Sequence, residues 1–71
     1  MRVEKIANTL YFETDAMTIA FPTGTIVALA DEDSVNIKLR ASRKTIITFN
    51  YKDMTPSMPS AEAAVQWLGT L

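Results

Sequence analysis

Apolar and polar residues alternate along most of the first 52 positions, as they do in β-strands that bury one face and expose the other. The segment 21–25 is typical of a tight hairpin turn, because Pro22 presets φ and Gly24 accepts a positive φ. Further turn signals lie at residues 13–16, 31–34 and 41–43. The pattern predicts an α+β, mainly β fold: an antiparallel five-stranded β-meander with one C-terminal amphipathic helix.

Turn lengths decide which side chains share a face, since a slip of one residue moves every side chain of a strand to the other face. The registers that unite the large apolar residues pair Leu10 with Ile19, Phe12 with Met17, Ile19 with Val27, Met17 with Leu29, Val35 with Phe49 and Ile37 with Ile47. The core face predicted in this way consists of Leu10, Phe12, Met17, Ile19, Phe21, Val27, Leu29, Val35, Ile37, Leu39, Ile47, Phe49 and Tyr51. It requires a three-residue loop at 32–34 or a bulge, whereas a two- or four-residue loop would turn Val35, Ile37 and Leu39 to the opposite side.

The opposite face is predicted to consist of two halves with different chemistry. The half on the second and third strands is small and mostly apolar, and it includes Ala20, Ile26, Ala28 and Ala30. We expect these four residues to pack closely against a partner. The half on the fourth and fifth strands, with the residues beside it, is basic: Lys38, Arg40, Arg43, Lys44 and Lys52.

This basic stripe has two interpretations. It could hold a phosphate backbone or an acidic protein surface. Alternatively, it is a solvated sheet face whose lysines discourage edge-to-edge aggregation. Small β-folds that bind nucleic acid usually stack bases on exposed aromatic rings, and here only Tyr11 is predicted to point outwards. We therefore favour the solvated face, with nucleic acid as the alternative partner.

Residues 60–71 carry apolar side chains at helical spacing, and Ser60 is a suitable N-cap. The apolar stripe consists of Ala61, Ala64, Val65, Leu68 and Leu71, with Trp67 beside it. A helix of about twelve residues is marginal by itself in water and must dock on another surface. We predict that Val65, Trp67 and Leu68 join the alanine-rich sheet face in an assembly interface. The alternative is that the helix only covers the core of its own chain.

Composition limits how such a fold can be stabilised. The chain has 71 residues, of which 48% are hydrophobic and 21% charged, with a net charge of -1 and neither cysteine nor histidine. Disulfides and the usual zinc sites are therefore excluded, and the core of so short a chain is marginal. We predict one domain, residues 1–71, with a sheet over 1–52, a linker over 53–59 and a helix over 60–71. We expect it to be a homo-oligomer or part of a larger protein assembly rather than a stable isolated monomer.

Neither a membrane span nor an export signal is predicted. The longest aliphatic run, residues 26–30, is far shorter than the ~20 residues that cross a bilayer. Residues 1–4 lack the apolar stretch of a signal peptide. We therefore expect no membrane contact and a location inside the cell or in a virion.

Residues that would support catalysis or metal binding are sparse. Without histidine or cysteine, Ser42 and Lys44 form the one conceivable nucleophile–base pair, and both lie at a predicted hairpin turn. The acidic stretch 31–34 offers oxygen ligands, but an EF-hand loop starting there would have Asn36 at the glycine position and Ser42 at the glutamate position. We expect no enzyme activity, no cofactor and no metal site.

The segment 46–67 combines a last strand, a short polar linker with Pro56 and Pro59, and the alanine-rich stretch Ser60-Ala61-Glu62-Ala63-Ala64. This arrangement resembles the C-terminal ends of small structural proteins encoded by tailed bacteriophages, over about a third of the chain. The resemblance implies a virion or assembly component that is repeated around a symmetry axis, and it implies no particular binding residue.

Two hypotheses of different classes follow. The first is a non-enzymatic structural or assembly protein that acts as an oligomer or bound subunit. The second is a small nucleic-acid-binding β-domain that uses the basic stripe. Salt separates them, because phosphate binding weakens steeply with salt while apolar subunit contacts do not.

Overall fold

Six β-strands and one α-helix make up the computed structural model, which describes residues 1–70. In chain order the elements are β1 (Arg2–Ile6), β2 (Thr9–Glu13), β3 (Thr18–Pro22), β4 (Ile26–Asp31), β5 (Ser34–Leu39), β6 (Thr45–Asn50), a single 3₁₀ turn (Tyr51–Asp53) and α1 (Ala61–Thr70). The mainly β fold with a C-terminal helix is confirmed. The single five-stranded meander is wrong, because the strands form two antiparallel sheets in the orders β1-β2-β3 and β4-β5-β6. We call them the first and the second sheet.

The chain leaves the first sheet at the turn that follows Pro22. A hydrogen bond from the Thr25 amide to the Pro22 carbonyl, 3.2 Å, closes this turn, as proline and glycine predict. The Thr23 amide, however, donates to the Asn8 carbonyl of the β1–β2 turn, and the Arg40 amide donates to the Thr25 carbonyl, each over 2.8 Å. The two sides of the turn are thus bonded to different sheets. The predicted pairings of Ile19 with Val27 and of Met17 with Leu29 are therefore wrong.

The first sheet has the predicted apolar face but a different register. Phe12 lies opposite Ile19 and Leu10 lies opposite Phe21, two residues away from the predicted pairs. A shift of two residues keeps every side chain on its face, so the core residues of these strands were placed correctly. Met17 instead falls in the loop, where its carbonyl accepts from the Thr14 amide and its side chain is 57% exposed.

Strand β1 was not predicted. Its sequence, Arg2-Val3-Glu4-Lys5-Ile6, contains three charged residues and only Val3 becomes buried, so the apolar signal is weak. A two-residue turn of Ala7 and Asn8 pairs this strand with β2, and Ala7 has a positive φ of 55°. Val3 lies opposite Phe12 in the buried part of the sheet.

In the second sheet, the register between β4 and β5 differs from the predicted one. Asp31 pairs with Ser34, so the β4–β5 turn contains two residues and not three, and Glu32 has a positive φ of 54°. Consequently the inward residues of β4 are Ile26, Ala28 and Ala30, and the outward ones are Val27 and Leu29, the reverse of the prediction. The pairings of Val35 with Phe49 and of Ile37 with Ile47 are confirmed, and a register shift follows them, so that Lys38 pairs with Thr45.

The core lies between the two sheets and the helix. Its buried members are Val3, Leu10, Phe12, Ile26, Val35, Ile37, Met54, Ala61, Ala64 and Leu68. Phe12 and Phe21 meet edge to face, with ring centroids 6.4 Å apart. Helix α1 packs against β4 and β5. Small residues on both surfaces, Ala61 and Ala64 on the helix and Ala28 and Ala30 on β4, suit the close approach of helix and sheet.

Helix α1 begins where the capping residue predicts. The Ser60 hydroxyl accepts a hydrogen bond from the Ala63 amide, 3.0 Å, which satisfies one of the free donors of the first turn. Ala64 and Leu68 are buried and Gln66 is exposed, which confirms the predicted orientation. The predicted last residue, Leu71, lies outside the described residues.

The predicted linker is tied to the first sheet rather than free to extend. The Val3 amide donates to the Thr55 carbonyl, 3.0 Å, and the Thr55 amide donates to the Met1 carbonyl, 2.7 Å. Met54, just before this contact, is 3% exposed, and the peptide bond between Thr55 and Pro56 is cis. The segment after the second sheet therefore bonds to an edge strand of the first, and this contact closes the fold.

The left-handed turn residue gives a first prediction. Ala7→Gly should raise the free energy of unfolding by about 0.5–1 kcal/mol, because glycine adopts a positive φ without a Cβ penalty. Ala41→Gly is the matched control: Ala41 is also exposed in a turn but has no positive φ, so this change should lower stability by about 0.5 kcal/mol. Urea unfolding of both variants checks the difference. Equal effects would contradict strain at Ala7.

The buried face of the helix gives a second prediction. Leu68→Ala should lower the free energy of unfolding by about 2–4 kcal/mol, since Leu68 fills the chain's own core at 7% exposure. Gln66→Ala, on the exposed side, should change it by less than about 0.5 kcal/mol. Thermal melts followed by circular dichroism measure both. A Leu68 variant that melts like the unmodified chain would show that α1 does not cover its own core.

Candidate interaction surface

The residues of the predicted apolar interface do not form one surface. Ile26 and Leu68 are buried in the core of their own chain. Ala20 lies on the first sheet, opposite Tyr11 and exposed. On α1, Val65 and Trp67 are half-buried.

The three β4 residues of that prediction, Ile26, Ala28 and Ala30, were assigned to the wrong face, whereas Ala20 is exposed as predicted. Ala28 and Ala30 point to the inner side of the second sheet, with Ile37 and Val35 as their pairing partners. They are half-buried and packed against the core. The register of the β4–β5 turn explains the error, because the predicted three-residue loop would have turned them outward. Contact between the interface residues and a partner stays a prediction.

Three of the five predicted basic residues lie together. Lys38, Arg40 and Arg43 line a shallow depression of ≈ 230 Å³ together with Val27 and Leu29. Lys38 is half-buried, whereas Arg40, Arg43 and Lys44 are exposed. We call Lys38, Arg40 and Arg43 the basic cluster.

Lys52 lies at the other end of the second sheet. It belongs to the 3₁₀ turn after β6, whose first residue, Tyr51, donates its amide to the carbonyl of Asp33. Its ammonium lies 5.8 Å from the centre of the Tyr51 ring. Lys52 is therefore next to the acidic β4–β5 turn and separate from the basic cluster.

Arg40 is held in place by backbone carbonyls. Its Nε donates to the Gly24 carbonyl over 2.9 Å and its Nη2 donates to the Ile26 carbonyl over 3.5 Å. These bonds orient the guanidinium across the β3–β4 turn and leave its positive charge uncompensated. Arg40 thus fixes the β3–β4 turn to the second sheet, besides its contribution to the basic cluster.

The charges of the second sheet form no ion pair among residues 1–70. Among residues 1–70, the one ion pair joins Arg2 to Glu4, with 3.8 Å between nitrogen and oxygen. The basic cluster at one end of the second sheet therefore has no acidic partner in that part of the chain. The three acids at the other end likewise form no ion pair with a basic residue in that part of the chain. We call these residues the acidic turn: Asp31, Glu32 and Asp33.

An exposed apolar strip lies between these two charged ends. Leu29 is 47% exposed on the outer side of β4, and Val27 beside it is half-buried. Asn36, the pairing partner of Leu29, accepts a hydrogen bond from the Thr48 hydroxyl over 2.8 Å. We call this surface the Leu29 face, and its residues are Val27, Leu29, Asp31, Ser34, Asn36 and Lys38. Sequence reasoning missed it because it assigned Val27 and Leu29 to the core.

A second concavity lies between α1, β4 and the β3–β4 turn. It is a cleft of ≈ 400 Å³ with polar and apolar surface in nearly equal parts, whose walls include Leu10, Val65 and Gly69. Arg40 is the charged residue in this described lining, and Thr23 supplies the hydroxyl. These side chains offer apolar contact and a single cation. Such a lining suits binding, whereas acid–base chemistry needs a proton donor and acceptor placed together.

The acidic turn does not assemble ligands for a metal ion. Within residues 1–70, no group of three or more acidic side chains converges as such a site requires. The helix of the described chain also lacks the length and apolar character needed to cross a membrane.

The Leu29 face thus combines an exposed leucine, cations at one end and anions at the other. Surfaces of this kind are typical of contacts with another protein, where apolar burial supplies affinity and charges set orientation. No protein-family model, no curated protein and no solved structure matches this chain.

Proposed function

We propose that this protein is a non-enzymatic structural or assembly protein that acts as an oligomer or as a bound subunit. The observation that carries the proposal is the exposure of Leu29 between two charged groups that have no partners within residues 1–70. An exposed leucine flanked by uncompensated charge is stabilised when a complementary protein surface covers it. A virion component, which the resemblance of segment 46–67 implies, is the specific form of assembly that we propose.

The reason for association differs from the one expected from chain length alone. Helix α1 and the segment around Thr55 cover the core of their own chain, so no element has to be borrowed from a neighbour. The radius of gyration, 11.0 Å, equals what a compact domain of this length should have, about 11 Å. Association is therefore driven by the outer surface, and the helix acts as the cover of the core.

Nucleic-acid binding is the second candidate function, because three cations cluster around one depression. The described aromatic rings argue against it. Phe12 is buried and Tyr11 lies on the first sheet. The other four rings pack against the core: Phe21, Phe49, Tyr51 and Trp67. The basic cluster thus has no stacking platform beside it among residues 1–70, and base stacking supplies much of the affinity for single strands.

Substitution of Leu29 tests the assembly proposal. We expect the light-scattering mass of the unmodified chain to rise between about 10 μM and about 1 mM, the range of weak interfaces, and Leu29→Ser to weaken this association at least ~10-fold. Met17→Ser is the matched control, because Met17 is 57% exposed but lies in a loop of the first sheet. A monomer mass at every concentration would refute self-association. Equal effects of the two substitutions would refute the role of the Leu29 face.

Salt dependence separates the second candidate from the first. We expect a fluorescent single-stranded oligonucleotide to bind no more tightly to the unmodified chain than to Arg43→Gln. Saturable binding that weakens steeply with salt, with a smaller salt slope in Arg43→Gln, would instead favour nucleic acid as the partner. Lys5→Gln, on the exposed side of β1, is the control for the loss of one positive charge.

A further inference from the structure

We infer that the partner of the Leu29 face is the same face of a second copy, related by a two-fold axis level with Leu29. This choice of partner rests on the proposed function and goes beyond it, because it names the occupant and its orientation. The axis runs between the two faces, at right angles to the strands. Strand β4 of one copy then lies antiparallel across β4 of the other.

The register of β4 makes the face self-complementary. Val27 and Asp31 each lie two residues from Leu29, so they point to the same side at about 7 Å on either side of it. Val27 is paired with Lys38, and Asp31 is paired with Ser34. A half-turn about the axis therefore places the Lys38 end of one copy over the Asp31 end of the other.

Charged residues beyond Lys38 and Asp31 add to the charge complementarity between the two copies. Beyond Lys38 lie Arg40 and Arg43, and beyond Asp31 lie Glu32 and Asp33. The basic end of each copy thus lies over the acidic end of its partner, at two symmetry-related junctions. In the parallel arrangement, cations would face cations and acids would face acids, which costs free energy. Because a two-fold contact uses the same patch twice, the assembly closes as a dimer.

The apolar contribution comes from the centre of the face. Leu29 lies next to the axis, so the two leucines cover each other, and Val27 of each copy lies about 7 Å along β4, towards Asp31 of the partner. Removal of this surface from water favours association, and the charges fix the orientation. The face is narrow, since its residues lie on two strands, β4 and β5, which places the dimer among weak interfaces.

Paired charge reversals provide the decisive experiment. Lys38→Glu with Arg43→Glu makes both ends of the face acidic, and Asp31→Lys with Glu32→Lys makes both ends basic. Each double variant alone should dimerise at least ~10-fold more weakly than the unmodified chain, because both junctions become repulsive. An equimolar mixture of the two should recover the dimer, since every junction then joins opposite charges. Arg40 is left unchanged because it bonds to the β3–β4 turn, and Asp33 is left unchanged so that only one of the two residues of the tight turn is substituted.

A control variant excludes a general effect of net charge. Arg2→Glu with Lys5→Glu changes the net charge by the same amount as Lys38→Glu with Arg43→Glu, but on the first sheet. It should leave the dimer intact. Circular dichroism establishes that each variant is folded. If a reversed variant is unfolded, Lys38→Gln with Arg43→Gln takes its place, with a weaker dimer as the expected result.

A crosslink provides an independent measurement of the axis. The chain contains no cysteine, so Leu29→Cys introduces the only thiol, and next to a two-fold axis it faces its own copy. Mild oxidation should convert most of this variant to a covalent dimer, whereas Met17→Cys should crosslink much more slowly. Equal crosslinking of the two variants would overturn the inference.

The outcomes distinguish failure of the inference from failure of the proposed function. If the chain associates but neither charge reversal nor mixing alters its mass, assembly stands and this face is not the interface. If the chain stays monomeric at every concentration and the introduced thiols do not crosslink, self-association fails together with the inference.

Discussion

The β4–β5 turn contains two residues, and this length decides which side of the second sheet becomes the core. With Asp31 opposite Ser34, the small side chains of Ala28 and Ala30 face inward and Leu29 faces outward. The positive φ of Glu32 is the local cost of this tight turn. One additional residue in the turn would exchange the two faces of β4, since side chains alternate strictly along a strand. The fit of the helix and the character of the outer surface both follow from this constraint.

The chain connects the two sheets at the β3–β4 turn, and backbone hydrogen bonds connect them on the far side. At the β3–β4 turn, the Arg40 side chain and amide donate to backbone carbonyls of the segment 24–26. On the far side, Val3 and Thr55 join β1 to the segment that follows the second sheet. Neither contact is apolar, yet both satisfy backbone groups that would otherwise be left without partners at the sheet edges. The Val3–Thr55 bonds and the β3–β4 connection thus keep two three-stranded sheets around one core in a chain without cysteine.

The exposed residues of the second sheet decide which function the fold supports. Helix α1 covers the core of its own chain. The apolar residues that stay exposed, and the charges without an ion pair among residues 1–70, therefore lie on the outer surface. On the second sheet, the exposed Leu29 of β4 lies between the cations around Lys38 at one end and the acids of the β4–β5 turn at the other. A chain with a net charge of -1 has no strong overall field, and the separation of its charges therefore matters more than their sum.

The sequence by itself determined the helix, its cap at Ser60 and the mainly β character of the first 52 residues. These features depend on local periodicity and turn chemistry, which involve residues close together in the chain. It also determined the pairing of Ile37 with Ile47, because the segment between them was a recognisable hairpin. Only the tertiary structure decided that there are two sheets, that β1 pairs with β2, and that Leu29 is exposed. Those outcomes depend on turn length and on hydrogen bonds between distant segments, such as Arg40 to Thr25 and Val3 to Thr55. Alternation alone is equally satisfied by either face of β4, and only packing against the helix and the first sheet selects between them.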